Sequence, residues 1–152
     1  MLPNAKKVLS CLFATCAMSS LALADGAWLD GPYTLAMEES ITAGGRESSG
    51  SVVMTLVHNE PCQISMSVLH EGDEVLSCNG DSLTTNYKLA GENLQNPDAE
   101  WIDPQTFLQK AYQIMSFGPE SQVTLWVRAT ASMMRANEAG NYEASLVMTL
   151  SW

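Results

Sequence analysis

Apolar and polar residues alternate with a period of two along four segments of the chain. Because successive side chains of a β-strand point to opposite faces, each segment predicts a strand with one buried and one solvated face. The β-branched and aromatic content of these segments favours the same assignment. Their apolar rows are Val52, Met54 and Leu56, followed by His58; Ile64, Met66 and Val68; Val123, Leu125, Val127, Ala129 and Ala131; and Leu146, Met148, Leu150 and Trp152.

Turn-forming residues separate these segments, for example at residues 79–80 and 140–141. Short strands at such intervals are typical of a β-sandwich, so the sequence predicts an all-β fold. An earlier alternation of Tyr33, Leu35 and Met37 predicts one more strand near the start of the domain.

One stretch departs from this alternation. Asp103 followed by Pro104 is typical of a helix N-cap with proline in the first turn. The apolar residues that follow recur at helical spacing, and they are Phe107, Leu108, Ala111, Tyr112 and Met115. We therefore expect a short helix that covers one end of the core.

The first residues of the chain have the layout of a secretory signal peptide. Lys6 and Lys7 precede an almost uncharged apolar run at residues 8–21, and residues 22–24 form an Ala-Leu-Ala cleavage site before Asp25. The apolar run is shorter than the roughly 20 residues that a membrane-spanning helix needs. The sequence thus predicts export.

Cleavage would leave a signal peptide of residues 1–24 and a single domain of residues 25–152. This domain keeps all 17 acidic residues of the chain but only five basic ones, which gives a formal charge of −12. Such a charge disfavours nucleic acid as a partner, because the Coulomb interaction is repulsive. The five basic residues are Arg46, Lys88, Lys110, Arg128 and Arg135.

Two cysteines, Cys62 and Cys78, remain after the predicted cleavage. An even number of cysteines in an exported chain is typical of a disulfide, since the destination is oxidising. Both flank the predicted turn at residues 71–73, so we expect one cross-strand disulfide between them.

The sequence contains no recognisable catalytic constellation. Neither His58 nor His70 lies in a nucleophile or metal-binding motif, the serines lack a nucleophile-elbow context, and no glycine-rich phosphate loop follows a strand. We therefore expect a non-enzymatic protein without a metal or cofactor.

Among non-enzymatic functions, one alternative is a free periplasmic or secreted β-sandwich that binds a carbohydrate or protein ligand. Trp28, Trp101 and Trp126 are candidate stacking faces for sugars, although burial in the core is the simpler expectation for Trp126.

Two segments of the sequence resemble a known family. Residues 139–142 and 145–150 resemble the C-terminus of colonisation-factor pilins of the alternate chaperone–usher pathway, the class 5 fimbrial subunits, and residues 53–58 resemble a strand of the same pilins. Weaker similarity runs through residues 82–85 and 121–129.

The resemblance implies an incomplete immunoglobulin-like sandwich that is completed by a donor strand from a partner. It implies a structural or tip subunit of an adhesive pilus at the cell surface, with a periplasmic chaperone, an outer-membrane usher and other pilus subunits as partners. It also allows a host-surface receptor. By the same resemblance, the edge of the groove that accepts the chaperone or donor strand comprises Tyr142, Leu146, Met148, Leu150 and Trp152.

The chain departs from these pilins in two respects. Major pilins of this type typically lack cysteine, and they carry a long N-terminal donor segment ahead of the first core strand. Here only residues 25–51 precede the matched strand, so Tyr33, Leu35 and Met37 belong either to a donor segment or to the first strand. A subunit without a donor segment would suit a tip or chain-starting position.

Overall fold

A computed structural model of the 152-residue chain describes residues 8–15, 26–29, 31–42, 45–58, 60–115, 119–131 and 141–151. Most of the predicted signal peptide, including Lys6, Lys7 and the cleavage site at residues 22–24, lies outside the described residues. Trp152 of the predicted groove edge lies outside them as well.

The described chain is mostly β-strand with almost no helix, which confirms the all-β prediction. The four alternating segments of the sequence form β4, β5, β10 and β11, and the Tyr33 segment forms β3. The strands are β1 (Val8–Thr15), β2 (Gly26–Leu29), β3 (Tyr33–Thr42), β4 (Gly45–His58), β5 (Cys62–Ser67), β6 (Ser77–Cys78), β7 (Asp81–Ser82), β8 (Thr84–Gly91), β9 (Ala111–Ile114), β10 (Glu120–Ala131) and β11 (Glu143–Ser151). The single described helix is α1 (Pro104–Gln109).

The strands form two sheets, and β3 pairs with a strand of each. In the first sheet, the order is β9, β5, β11, β1 and the first half of β3, with the β6–β7 hairpin beside the start of β11. In the second sheet, β8, β10 and β4 are adjacent, and the other edge of β4 pairs with β2 and with the second half of β3. Among the described strands, every pair is antiparallel except β1 with β11.

The core is one cluster that receives side chains from both sheets. The period-two alternation decides its membership, because the apolar rows of β4 and β10 point inward while their neighbours stay exposed or half-buried. The first sheet contributes Ile64 and Met66 from β5 and Leu146 and Met148 from β11, all of them buried. The core is therefore assembled from the rows that the sequence marks as apolar.

The helix begins where the sequence predicts it and ends earlier. The Asp103 carboxylate caps α1 by accepting hydrogen bonds from the Thr106 hydroxyl at 2.6 Å and the Thr106 N–H at 3.0 Å. These bonds hold the pKa of the Asp103 carboxyl below its usual value. Only Phe107 of the helix is fully buried, and its ring stacks on that of Tyr87 at 4.9 Å between centroids.

The expected continuation of the helix to Met115 is wrong. The chain leaves α1 at Lys110, and Ala111–Ile114 form β9 against β5. Tyr112 and Ile114 are buried and two residues apart, whereas Ala111 and Met115 are exposed. The apolar residues of this stretch fit the period of a helix as well as the period of a strand, and the pairing of β9 with β5 selects the strand.

The predicted disulfide between Cys62 and Cys78 is not formed, and both thiols are free. The two cysteines lie near opposite ends of β11, where β5 pairs Gln63 with Ser151 and β6 pairs Ser77 with Glu143. These positions are about 26 Å apart at the rise of an extended strand. A disulfide requires Cα atoms within about 7 Å of each other, so this fold excludes the bridge within one chain.

Candidate functional site

The most unusual feature of the first sheet is the strand that lies between β3 and β11. Val8–Thr15 form β1 there, parallel to β11 and antiparallel to β3. The register pairs Phe13 with both Leu146 and Tyr33. This strand belongs to the apolar run of the predicted signal peptide, so the position it occupies is filled by a segment that the sequence predicts to be removed.

The two strands that flank this position, which we call the β3–β11 slot, carry buried apolar side chains. Leu35 and Met37 of β3 are 6% and 1% exposed, and Leu146 and Met148 of β11 are 1% and 3% exposed. All four belong to the core cluster. The slot is therefore continuous with the hydrophobic core.

Gly50 of β4 allows β3 to lie close to the core. A Cβ atom at this position would lie 3.0 Å from Cγ of Met37 and 3.1 Å from Cδ1 of Leu35, which is tighter than normal side-chain packing. The absence of a side chain thus makes room for the inward row of β3. The sequence alone gives no sign of this role, because it depends on which side chains of another strand approach the glycine.

Two aromatic side chains tie the start of the domain to the sheets. The Tyr33 hydroxyl donates to the carbonyl oxygen of Leu29 and accepts a 3.2 Å hydrogen bond from the N–H of Thr55. The indole Nε1 of Trp28 donates to the carbonyl oxygen of Met148 at 3.2 Å, which joins β2 to β11 across the two sheets. Trp28 also packs against the core, so the face suggested for sugar stacking is occupied by the protein itself.

The residues expected at the groove edge do not all lie beside the slot. Leu146 and Met148 fall within the part of β11 that pairs with β1, whereas Leu150 lies beyond it and pairs with Ile64 of β5. Tyr142 precedes the strand, is buried, and donates a 2.6 Å hydrogen bond from its hydroxyl to Oδ2 of Asp81. The structure thus brings two of the five predicted residues onto the slot, whereas Tyr142 and Leu150 lie outside the part of the chain that pairs with β1.

A buried histidine and serine form a second polar cluster, at the end of β4. Nε2 of His58 lies 2.7 Å from Oγ of Ser121, and that oxygen also accepts a 3.0 Å hydrogen bond from Nδ2 of Asn93. Nδ1 of His58 lies 3.1 Å from the carbonyl oxygen of Glu60. His58 and Ser121 are each 3% exposed, so a substrate has no access to the hydroxyl. The cluster satisfies buried polar atoms and gives no sign of a catalytic pair.

The acidic turn after β5 uses its carboxylates for local hydrogen bonds. Oε2 of Glu74 accepts from the Gly72 N–H at 3.0 Å and Oε1 accepts from Nε2 of Gln105 at 2.7 Å, while Oδ2 of Asp73 accepts from the His70 N–H at 3.1 Å. Within the described ranges, no three His, Cys, Asp or Glu side chains are grouped so that they could hold a metal ion.

Trp126 is not a core residue, contrary to expectation. It alternates with the inward-facing Leu125 and Val127 of β10, so it lies on the outer face of the second sheet and is 40% exposed. Trp101 lies near the same face, beneath the guanidinium of Arg128 at 4.7 Å from the ring centroid. Sequence reasoning suggested these tryptophans as ligand contacts but did not predict that a cation would accompany them.

No protein-family model matches the sequence, and no curated protein is significantly similar to it. In the part of the chain that the structure describes, no helix has the length and apolar character needed to cross a membrane.

Proposed function

We propose that this protein is a structural or tip subunit of an adhesive chaperone–usher pilus, assembled by donor-strand complementation after export through the periplasm. The observation that carries the proposal is the occupancy of the β3–β11 slot by Val8–Thr15, a segment of the predicted signal peptide. Cleavage after residue 24 removes this strand, and the domain then needs another strand in the same place.

The energetic cost of an empty slot supports this assignment. Without β1, the backbone groups of Tyr33–Glu38 in β3 and of residues 143–148 in β11 lose their hydrogen-bonding neighbour. Unpaired strand edges beside apolar side chains favour pairing with another chain. Because the flanking Leu35 and Leu146 belong to the core, the incoming strand completes both a sheet and the core. Folding and partner binding are then coupled.

The strand order agrees with an incomplete immunoglobulin-like sandwich. One sheet places β4 between β10 and the β2–β3 segment, with β8 outside β10. The other places β11 beside β5, with β9 beyond it. In a complete sandwich of this kind, a last strand lies at the open side of β11, where β1 is found here. The partner's strand would occupy that position by β-augmentation, with main-chain hydrogen bonds on both sides.

The partners of such a subunit are a periplasmic chaperone, an outer-membrane usher and neighbouring pilus subunits. The chaperone would fill the slot first, and a strand from the next subunit would replace it. β3 pairs with β4 through residues 39–42, and its earlier residues Tyr33, Leu35 and Met37 pack in or against the core cluster, so this segment serves as the first long strand of the domain and not as a free donor. This arrangement favours a subunit that accepts a strand.

A peptide complementation experiment tests the proposal. The chain of residues 25–152 is mixed with a peptide of residues 8–15, and its thermal unfolding is followed by circular dichroism. A ligand that binds only the folded form stabilises it by about 2.7 kcal/mol at one hundred times its dissociation constant, so the melting temperature should rise with peptide concentration. A peptide with Leu12→Lys and Phe13→Lys, which changes both faces of the strand, should have no effect. A chain of residues 25–152 that melts cooperatively at high temperature and ignores the peptide would refute the proposal.

A further inference from the structure

Two tryptophans and two cations lie together on the outer face of the second sheet, remote in sequence from the slot. We call these four residues, Trp101, Trp126, Lys88 and Arg128, the Trp–cation patch. Trp126 of β10 and Lys88 of β8 are direct cross-strand partners, and Arg128 follows Trp126 by two residues on the same face. Nζ of Lys88 and the guanidinium carbon of Arg128 lie 6.0 Å and 4.7 Å from the centroid of the Trp101 ring.

The two cations of this patch retain unused capacity for hydrogen bonds and ion pairs. Among the described residues, neither Lys88 nor Arg128 forms an ion pair with a carboxylate. Arg128 makes one long contact, 3.4 Å from Nη2 to Oδ1 of Asn86, and its buried Nε has no hydrogen-bond partner in the described part of the chain. The buried Nε is out of reach of a surface ligand, but the two Nη nitrogens share only this one long contact among the described residues, so they retain donors for an acceptor from a ligand.

The charge of the domain restricts what that ligand can be. Residues 25–152 carry 17 acidic and five basic side chains, and two of those five are in the patch. A polyanion would be repelled by the rest of the surface, because its charges extend well beyond the patch. A ligand with a single anionic group avoids most of that repulsion while still pairing with Lys88 and Arg128.

The exposed indole of Trp126 indicates the chemistry of the rest of the ligand. Trp126 is 40% exposed on a sheet face, which leaves an indole surface available for a flat apolar contact. Binding sites typically combine such a surface with a few polar groups that fix orientation. A pyranose ring that bears a carboxylate offers both an apolar ring face and one negative charge.

We propose that the Trp–cation patch binds a carboxylated saccharide, such as a sialic acid or uronic acid residue. The sugar ring lies against Trp126, and its carboxylate is held between Lys88 and Arg128. The stacking of Arg128 on Trp101 positions the guanidinium for this contact. The inference does not rest on the proposed pilus function, because the patch is on the outer face of the second sheet and the slot is in the first.

The test compares carboxylated sugars with their neutral counterparts on the full 152-residue chain, in which β1 fills the slot. Sialyllactose is paired with lactose, and methyl glucuronide with methyl glucoside; binding is measured by saturation-transfer NMR and tryptophan fluorescence. At least one carboxylated sugar should bind about tenfold more tightly than its neutral partner, which corresponds to about 1.4 kcal/mol. If neither does, the proposal is overturned.

Substitutions then locate the site. Lys88→Gln and Trp126→Ala should each weaken binding of the preferred sugar by about fivefold or more, and Arg128→Gln should do the same if it folds. Gln122→Ala, on the same face of β10 and exposed, is the matched control and should leave binding unchanged. Binding that is unaffected by both Lys88→Gln and Trp126→Ala, or that hexaglutamate displaces as effectively as the sugar does, would overturn the assignment to a saccharide site. A failure of donor-peptide rescue would leave these results unaffected.

Discussion

The Tyr112 hydroxyl donates a 2.5 Å hydrogen bond to Oδ2 of Asp98, and both side chains are buried. The same carboxylate oxygen accepts a 2.9 Å hydrogen bond from the Leu89 N–H, and Oδ1 is paired with the ammonium of Lys110. Asp98 therefore joins β8, β9 and the residue that follows α1. This one carboxylate holds the long connection between β8 and β9 against the sandwich.

Removal of the Tyr112 hydroxyl should destabilise the domain. Tyr112→Phe keeps the ring in the core but takes one donor from a buried carboxylate, at an expected cost of about 1–3 kcal/mol in the free energy of unfolding. Urea denaturation of the full chain measures this. The neighbouring exposed Gln113 provides the control, since Gln113→Ala should change the free energy by less than about 0.5 kcal/mol. Equal effects of the two substitutions would argue against the network.

The same hydroxyl should make the free energy of unfolding depend on pH in the alkaline range. Burial, the hydrogen bond to Asp98 and the Asp98 charge together raise the pKa of Tyr112 well above its ordinary value of 10. Above about pH 10 the unfolded state releases the phenolic proton while the folded state keeps it, so the free energy of unfolding falls as pH rises. The stability contribution is complete below the unfolded pKa. Stability measured between pH 8 and 11 should therefore fall more steeply for the original chain than for Tyr112→Phe, and parallel curves would contradict this.

The two cysteines should behave as independent thiols. Burial raises the pKa of the Cys62 thiol, and the thiolate is the reactive form, so this residue should react slowly until the protein unfolds. Cys78 is half-buried and should react first. Alkylation with iodoacetamide followed by peptide mapping distinguishes the two positions. Detection of a Cys62–Cys78 disulfide-linked peptide, or faster labelling of Cys62 than of Cys78, would contradict the observed geometry.

Period-two alternation was sufficient to predict the principal strands, because a strand with one buried face carries an apolar residue at every second position. It placed Met54, Leu56, Val123 and Leu125 in the core correctly. The same rule, applied to Trp126, would have placed that residue on the outer face. The simpler expectation, burial in the core, did not apply this rule, and the structure follows the alternation.

Features that depend on pairing between distant segments could not be read from the chain. The apolar spacing around Tyr112 is compatible with a helix or a strand, and only the partner strand β5 resolves it. Cys62 and Cys78 are close in sequence, yet β5 and β6 meet β11 at opposite ends. The space that Gly50 leaves is likewise important only because Met37 approaches it from another strand. The local sequence predicts the strands, whereas the candidate site depends on the register between strands that are distant in sequence.

The slot makes a sharper prediction than peptide rescue alone, because the two faces of β11 should respond differently to charge. Leu146 is 1% exposed and pairs with Phe13 of β1, whereas Thr149 is half-buried, beyond the paired residues and on the opposite face. In the chain of residues 25–152, Leu146→Glu should abolish the rise in melting temperature produced by the residue 8–15 peptide, since it places a carboxylate in the core beside the incoming strand.

Thr149→Glu adds the same charge to the same strand and serves as the matched control. It should retain most of the peptide-dependent rise, because its side chain points away from the core and lies past the end of the β1 pairing. A milder change, Leu146→Ala, should fold with a partner while weakening the complex, at a cost of roughly 2–5 kcal/mol for a buried leucine. If Leu146→Glu and Thr149→Glu respond alike, or if Leu146→Ala is rescued as fully as the unsubstituted chain, then the strand does not bind between β3 and β11.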